Sequence, residues 1–229
     1  MRKFKILFLI VLSFLGFSKT VNAQDWANLQ KYQEANSTLP APAIGENRVV
    51  FMGNSITEGW SIANPVFFEG KPYINRGISG QTTPQMLLRF RQDVIALQPK
   101  VVLILSGTND IAGNTGPMTL QQIHYNILSM VELAEANGIN PIICSVVPAF
   151  DYPWKPGMEP NVKIPELNGM LQKTAKQKGL IYLDYFGSMA DERNGLPKAL
   201  AEDGVHPTKK GYEIMEALAE KAIRKALKK

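Results

Sequence analysis

The chain alternates short apolar runs with longer segments of helical periodicity, and this alternation limits the possible folds more than any other feature. Runs rich in Val, Ile and Tyr that end at Gly, Pro or polar residues are typical of buried strands. Five such runs are present: RVVFMG, PYINRG, KVVLILSG, NPIICSVVP and LIYLDYFG. Strands that are apolar almost throughout need cover on both faces, so we predict an α/β fold with a parallel sheet between layers of helices.

Three of the intervening or final segments have readable helix signals. TTPQMLLRFRQDVIALQP begins with a threonine cap and has Pro84 in its first turn. TLQQIHYNILSMVELAEANG places its apolar residues between 120 and 134 on one face and stops at Asn137-Gly138. The chain closes with TKKGYEIMEALAEKAIRKALKK, which we also predict to be helical.

Residues 1–23 have the organisation of a secretory signal peptide: a basic start, an apolar run of twelve residues and a small-x-small end at Val21 to Ala23. We predict cleavage after Ala23 and a periplasmic or secreted protein. The alternative is an uncleaved anchor, but the run is shorter than the roughly 20 residues that a membrane span needs. We expect no stable membrane span after cleavage.

The charge distribution argues against a nucleic-acid partner. The formal net charge is +5, but without the first 23 residues the chain has 21 basic and 20 acidic residues. The last nine residues carry five of those basic side chains, so the body of the protein is acidic. A nucleic-acid-binding domain would need a basic face, and we predict no such partner. The sequence makes no prediction for the oligomeric state.

The segment AFDYPWKPGMEPNVKIP, residues 149–165, breaks the alternation. It contains four prolines, and we predict a loop without helical or strand periodicity. A loop that follows a strand of a parallel sheet lies at the carboxyl edge, where ligands bind. Its aromatic residues Tyr152 and Trp154 therefore either form a wall for substrate or pack on the core.

Chemically useful residues lie at four connections that we expect to share this edge. Ser55 directly follows the first strand, Gly80 follows the second and Asn109 follows the third. Asp203 and His206 stand three residues apart, just before the final helix. We therefore expect these residues to lie close together.

These residue types fit nucleophilic catalysis. A serine hydroxyl needs a base to take its proton, and histidine is the usual base. A carboxylate then fixes the tautomer of the histidine, and the spacing of Asp203 and His206 lets the two meet within one turn. A tetrahedral intermediate also needs hydrogen-bond donors for its oxyanion. The candidate donors are the Ser55 amide, the Gly80 amide and the Asn109 side chain.

In this order, GNSIT, GISG, GTND and DGVHP resemble the sequence blocks of the SGNH/GDSL hydrolases. The resemblance covers nearly all of the chain after residue 23. It implies Ser55 as nucleophile, His206 as base and Asp203 as its partner, with an oxyanion hole formed by Ser55, Gly80 and Asn109. It also implies a flavodoxin-like, three-layer α/β/α fold and ester hydrolysis without a cofactor.

One position departs from the family pattern. Asn54 stands where the family usually has aspartate, which would change the charge near Ser55 without removing a triad member. Asp110 matches the family's ending GxND and is interpreted as a supporting residue. The α/β-hydrolase fold, a rival with the same order of triad residues, requires Gly-x-Ser-x-Gly, and Thr57 occupies the position of its second glycine.

Other candidates have ordinary structural alternatives. Trp60 either lines the site or packs the first helix, and Arg76 either reaches a substrate or has a surface or ion-pair role. We expect His124 to be structural and Cys144 to be a small buried side chain. No cluster of Cys, His or carboxylate residues in the sequence suggests a metal site.

We therefore predict a signal peptide over 1–23, a polar lead-in over 24–47 and a hydrolase domain over 48–229. The predicted substrates are small-molecule or glycan esters with short acyl groups, most of all acetyl groups on carbohydrate. One alternative is a lysophospholipase or thioesterase for longer acyl chains. An alternative of another class is a non-catalytic carbohydrate-binding protein.

Overall fold

Five parallel strands form one sheet in the computed structural model, which describes residues 25–228. The strands are β1 (Val49–Gly53), β2 (Tyr73–Gly77), β3 (Val101–Leu105), β4 (Asn140–Cys144) and β5 (Ile181–Leu183). Their order, β2-β1-β3-β4-β5, is that of a flavodoxin-like sheet. The predicted five-stranded α/β fold is confirmed, while the predicted signal peptide lies outside the described residues.

The helices begin and end largely where the sequence signals place them. They are α1 (Gln33–Thr38), α2 (Ser55–Ala63), α3 (Thr83–Asp93), α4 (Thr108–Ile111), α5 (Leu120–Ala136), α6 (Pro160–Lys178), α7 (Phe186–Met189) and α8 (Lys209–Ala226). Thr82 and Thr119 form capping boxes at the starts of α3 and α5, and Thr208 caps α8. No helix between residues 25 and 228 is both long and apolar enough to span a bilayer.

The sheet separates two apolar cores because successive strand side chains point to opposite faces. Val50 and Met52 of β1 lie in the core that contains the apolar faces of α3, α5 and α6. Val49 and Phe51 lie in the other core, against α2 and α8. This arrangement gives the three layers and explains why the strands are apolar almost throughout.

Helix α6 corrects the prediction of a loop that runs to residue 165. The loop ends at Glu159, and the helix begins at Pro160, a position where a missing N–H costs nothing. Pro165 lies inside the helix and cannot donate to the carbonyl of Asn161 one turn earlier. The side chain of Asn194 donates to that carbonyl at 3.0 Å instead. A donor 33 residues away thus satisfies the group that the proline leaves free.

Residues 25–47 pack against the domain that follows them. The side chain of Gln92 on α3 donates to the carbonyl of Leu29, and Asn36 on α1 donates to the Asp93 carboxylate at 2.6 Å. Arg76 donates to Asn36 and lies over the ring of Tyr32, so it faces this segment and not the solvent. The boundary at residue 48 stays a prediction.

Arg89 of α3 is a fully buried cation beneath the carboxyl edge of the sheet. It forms an ion pair of 3.0 Å with the buried carboxylate of Asp93. Its other nitrogens donate to the carbonyl of Gly53 at the end of β1 and to the side-chain oxygen of Gln81. Arg89 therefore connects α3 to the two chain segments that follow β1 and β2.

Replacement of Arg89 by methionine should be strongly destabilising, because the carboxylate of Asp93 would stay buried without its partner cation. We expect the free energy of unfolding to fall by about 3–5 kcal/mol in chemical denaturation. The double variant Arg89→Met/Asp93→Leu should recover part of this loss, since neither position then carries an unpaired buried charge.

Lys178→Met is the matched control. It removes an ion pair of 2.8 Å with Glu135 that lies at the surface, and it should leave the free energy of unfolding nearly unchanged. An equal fall of the free energy of unfolding in Arg89→Met and Lys178→Met would contradict the prediction that burial makes the Arg89 pair more important for stability.

Candidate active site

Ser55 stands at the first turn of α2, immediately after β1. The side chain of Asn54 caps this helix and accepts a hydrogen bond of 3.1 Å from the amide of Ile56. An asparagine oxygen does this as well as a carboxylate would, so the departure from the family pattern at residue 54 leaves the turn intact. The turn directs Ser55 toward the carboxyl edge of the sheet.

The start of α2 lies very close to the neighbouring strand. A Cβ atom at Gly77 would come within 2.1 Å of the amide nitrogen of Glu58, so only glycine lets the helix approach β2 this closely. Gly53 and Gly77 are paired in the register of β1 and β2, so the two strands end side by side at the carboxyl edge. Ser55 and the loop after Gly77 are therefore side by side.

His206 reaches Ser55 from the connection before α8. Its Nε2 lies 2.9 Å from Ser55 Oγ, and its Nδ1 lies 2.6 Å from Asp203 Oδ2. The other carboxylate oxygen of Asp203 accepts from the amides of Val205 and His206 at 2.9 and 2.8 Å. Donation by Nδ1–H to the carboxylate leaves Nε2 free to accept the serine proton.

The surroundings of Asp203 keep this carboxylate charged. Partial burial raises its pKa, but the hydrogen bonds from the His206 ring and from the amides of His206 and Val205 together hold the pKa below its ordinary value. A charged carboxylate beside Nδ1 stabilises the imidazolium that forms when Nε2 takes a proton.

Gly80 and Asn109 lie across the cleft from His206. Gly80 has φ +77°, which a residue with a side chain rarely adopts. The Asn109 amide donates one hydrogen to the carbonyl of Gln81 at 2.9 Å, which leaves its second hydrogen for a ligand. The structure therefore brings the predicted donors Ser55, Gly80 and Asn109 to one site.

The cleft has a volume of about 400 Å³. It is lined by Ser55, Ser79, Gly80, Asn109, Asn114, Trp154 and His206. Ser79 and Asn114 were not among the predicted residues. Ser79 adjoins Gly80 in the chain, and Asn114 donates to the carbonyl of Gly80 at 3.2 Å from the connection that also carries Asn109. Their positions on the connections that follow β2 and β3 were the sequence signal that could have predicted them as residues of the cleft.

The three aromatic candidates have different positions. Trp154 is 45% exposed, and the centre of its ring lies 6.1 Å from that of His206. Tyr152 is buried and stacks against Trp154 at 5.0 Å, so it supports the cleft wall without lining it. Trp60 is buried between Phe67 and Tyr212, which corrects its prediction as a substrate-binding residue.

The remaining candidates lie outside the cleft. His124 contacts Thr174 through Nε2 at 2.7 Å, on the far side of the helical layer that α5 and α6 form. Cys144 is buried in β4, as predicted for a small apolar side chain, and burial raises the pKa of its thiol far above the ordinary range. Residues 25–228 contain no group of three or more His, Cys, Asp or Glu side chains arranged to hold a metal ion.

Comparisons with known proteins agree with this geometry. The model of the GDSL-like Lipase/Acylhydrolase family matches residues 51–214, more than half of the chain. A GDSL-like lipase from Bacteroides thetaiotaomicron VPI-5482 has a similar structure, with a TM-score of 0.85 and 48% identity over 87% of this chain and 98% of that one. A protein assigned as an acylhydrolase from Bacteroides fragilis NCTC 9343 gives a TM-score of 0.87 and 48% identity over 89% and 99% of the two chains.

A more distant relative has a named activity. An acetylxylan esterase from Xylanibacter ruminicola is 26% identical over 222 aligned positions, and the alignment covers 82% of this chain and 45% of the relative. The chain therefore spans less than half of the length of that relative.

Asp110 lies behind Asn109 with its carboxylate buried. One oxygen accepts from the amide and hydroxyl of Thr83 at 2.8 and 2.6 Å, and the other has no hydrogen-bond partner in the described chain. Burial raises the pKa of Asp110 to about 6, although the bonds from Thr83 oppose this. The carboxylate joins the start of α3 to the connection that carries Asn109.

Asp110→Asn should therefore change how stability depends on pH. A raised pKa means that Asp110 binds a proton more tightly in the folded protein than in the unfolded chain, so the contribution of Asp110 to stability is lost as pH rises from about 4 to about 6. The variant lacks this loss, and its free energy of unfolding relative to wild type should increase by about 3 kcal/mol across the window. Denaturation at several pH values measures the difference, and a flat difference would contradict the prediction.

Proposed function

Because the chain belongs to the SGNH/GDSL family, we propose that it is a carboxylic ester hydrolase with Ser55, His206 and Asp203 as its catalytic triad. The observation that carries this proposal is the continuous hydrogen-bonded chain from Ser55 Oγ through the His206 ring to Asp203, which opens on a cleft with oxyanion donors. The charged Asp203 holds the imidazole in the tautomer that accepts the serine proton.

The reaction has two stages. His206 Nε2 takes the proton of Ser55 as its oxygen attacks the ester carbonyl, and the negative oxygen of the intermediate accepts from Ser55 N–H, Gly80 N–H and the Asn109 amide. His206 then gives the proton to the leaving alcohol, and the acyl group stays on Ser55. A water molecule then loses a proton to His206 and attacks the acyl carbon; the bond between that carbon and Ser55 Oγ breaks, the acid is released, and His206 returns the proton to Ser55.

We propose acetyl groups on carbohydrate as the substrate class. Among the described residues that line the cleft there is no aliphatic side chain, so a short acyl group would fit there and a long acyl chain would find few apolar partners. The exposed ring of Trp154 beside His206 offers a stacking surface for a sugar alcohol. The acetylxylan esterase relative supports this class. A lysophospholipase or thioesterase would need an apolar groove at the cleft.

We also propose export, with cleavage after Ala23 and a periplasmic or secreted enzyme. The support is the order of basic, apolar and small residues at the start of the chain. N-terminal sequencing of the exported protein tests the cleavage site.

Ser55→Ala and His206→Ala should each abolish esterase activity of residues 24–229. With p-nitrophenyl acetate we expect kcat/KM to fall at least about 10³-fold in either variant, and the double variant should fall little further. His124→Ala is the matched control, because it removes the other histidine, which lies outside the cleft, and it should retain activity. Activity in His206→Ala, or equal losses in the two histidine variants, would overturn the triad.

Trp154→Ala should impair sugar esters selectively. We expect a KM several-fold to about tenfold higher for an acetylated xylo-oligosaccharide, because the stacking surface is lost, and little change for ethyl acetate, whose alcohol cannot stack. The control is Phe150→Ala on the same loop, which removes an exposed ring that does not line the cleft.

Wild-type activity on p-nitrophenyl esters should be highest for acetate and fall with acyl length. Activity that rises with acyl length would favour the lipid or thioester alternative. If Trp154→Ala raised KM equally for the acetylated xylo-oligosaccharide and for ethyl acetate, the result would contradict a role of Trp154 in sugar recognition.

A further inference from the structure

We propose that the N-terminal segment, residues 25–38, is a positioning element of the active site. It holds the loop from Gly77 to Gln81, which carries the proposed oxyanion donor Gly80 and accepts from the Asn109 amide. The inference rests on the proposed function, because Gly80 and Asn109 matter only if an oxyanion forms beside Ser55. It concerns residues that lie before the match to the family model begins at residue 51.

The segment contacts the loop on both sides of Gly80. On one side, the hydroxyl of Tyr32 donates to the carbonyl of Gly77. On the other side, the buried side chain of Gln81 donates to the carbonyl of Ala27 at 2.6 Å. The carbonyl of Gln81 is also the acceptor for Asn109, so these contacts reach both proposed donors.

A third connection runs through Glu58. Lys31 forms an ion pair of 2.9 Å with one oxygen of Glu58, and the other oxygen accepts from the amide and hydroxyl of Ser79 at 2.7 and 2.5 Å. Partial burial raises the pKa of Glu58, but the bonds from Ser79 and Lys31 hold it below the ordinary value. A charged Glu58 thus joins Lys31 to the residue next to Gly80.

The loop needs these contacts because the other support of its tip is small: from outside the segment, Asn114 donates to the carbonyl of Gly80 at 3.2 Å. Ser79 and Gly80 are exposed, and no atom lies within 4 Å of the position that a Cβ on Gly80 would occupy. Glycine has more conformational freedom than any other residue, so an unsupported tip would sample many orientations of its N–H. An oxyanion donor is effective only when its N–H already points at the place where charge develops.

The ion pair of Lys31 can be removed without loss of the fold. Its side chain is 41% exposed, and the segment is anchored independently by Asn36, which contacts Arg76 and Asp93. A change at Lys31 therefore tests the position of the loop and not the attachment of the segment.

The experiment compares Lys31→Met with Lys31→Arg, which keeps the charge. For Lys31→Met we expect kcat on p-nitrophenyl acetate to fall about 3- to 10-fold with KM within about twofold, because the lost contact acts on the transition state. Lys31→Arg should recover most of the activity, and the thermal midpoint should change little in both. Lys178→Met removes a similarly exposed ion pair elsewhere and should leave kcat unchanged.

Amide hydrogen exchange supplies a readout that does not need turnover. The amide of Ser79 should exchange faster in Lys31→Met than in wild type or Lys178→Met, because its acceptor Glu58 is no longer held. Unchanged exchange at Ser79 together with unchanged kcat would overturn the inference. If wild type hydrolyses no ester, the proposed function fails, while exchange at Ser79 still decides whether the segment holds the loop.

Discussion

The buried guanidinium of Arg89 is the interaction on which the geometry of the carboxyl edge depends. It donates to the carbonyl of Gly53, two residues before Ser55, and to the side chain of Gln81, one residue after Gly80. The turn that carries the proposed nucleophile and the loop that carries a proposed oxyanion donor are thus bound to the same rigid cation. Asp93, one turn further along α3, forms the ion pair with Arg89, so a single helix carries both charges that hold the turn and the loop.

Much of the fold could be predicted from the sequence because the relevant signals are local. Near-continuous apolar strands between amphipathic segments require a parallel sheet with two covered faces, and parallel strands bring their following connections to one edge. The spacing of Asp203 and His206 also needs only one turn of chain, which the amide contacts to the Asp203 carboxylate stabilise. Residues such as Asn109 could be placed near Ser55 by topology alone.

Other features depend on contacts that no local pattern contains. Trp60 follows Ser55 by five residues, which on a helix is a rotation of about 140° from Ser55, so it faces the core and not the cleft. Pro165 looks like a helix breaker because its compensating donor, Asn194, is distant in sequence. The lead-in resembles a polar linker, and only the folded chain shows Lys31 beside Glu58.

The packing of residues 25–38 on the loop after β2 means that the part of the chain with the reactive groups and the part that positions them have different boundaries. The part that the family model matches starts at residue 51 and contains each group that would exchange a proton or form a bond with substrate. The part of the chain that keeps the reactive groups in position begins earlier, because it includes Ala27, Lys31 and Tyr32. A protein cut at the boundaries of the family model would keep the reactive groups of such an active site and lose residues that hold them in position.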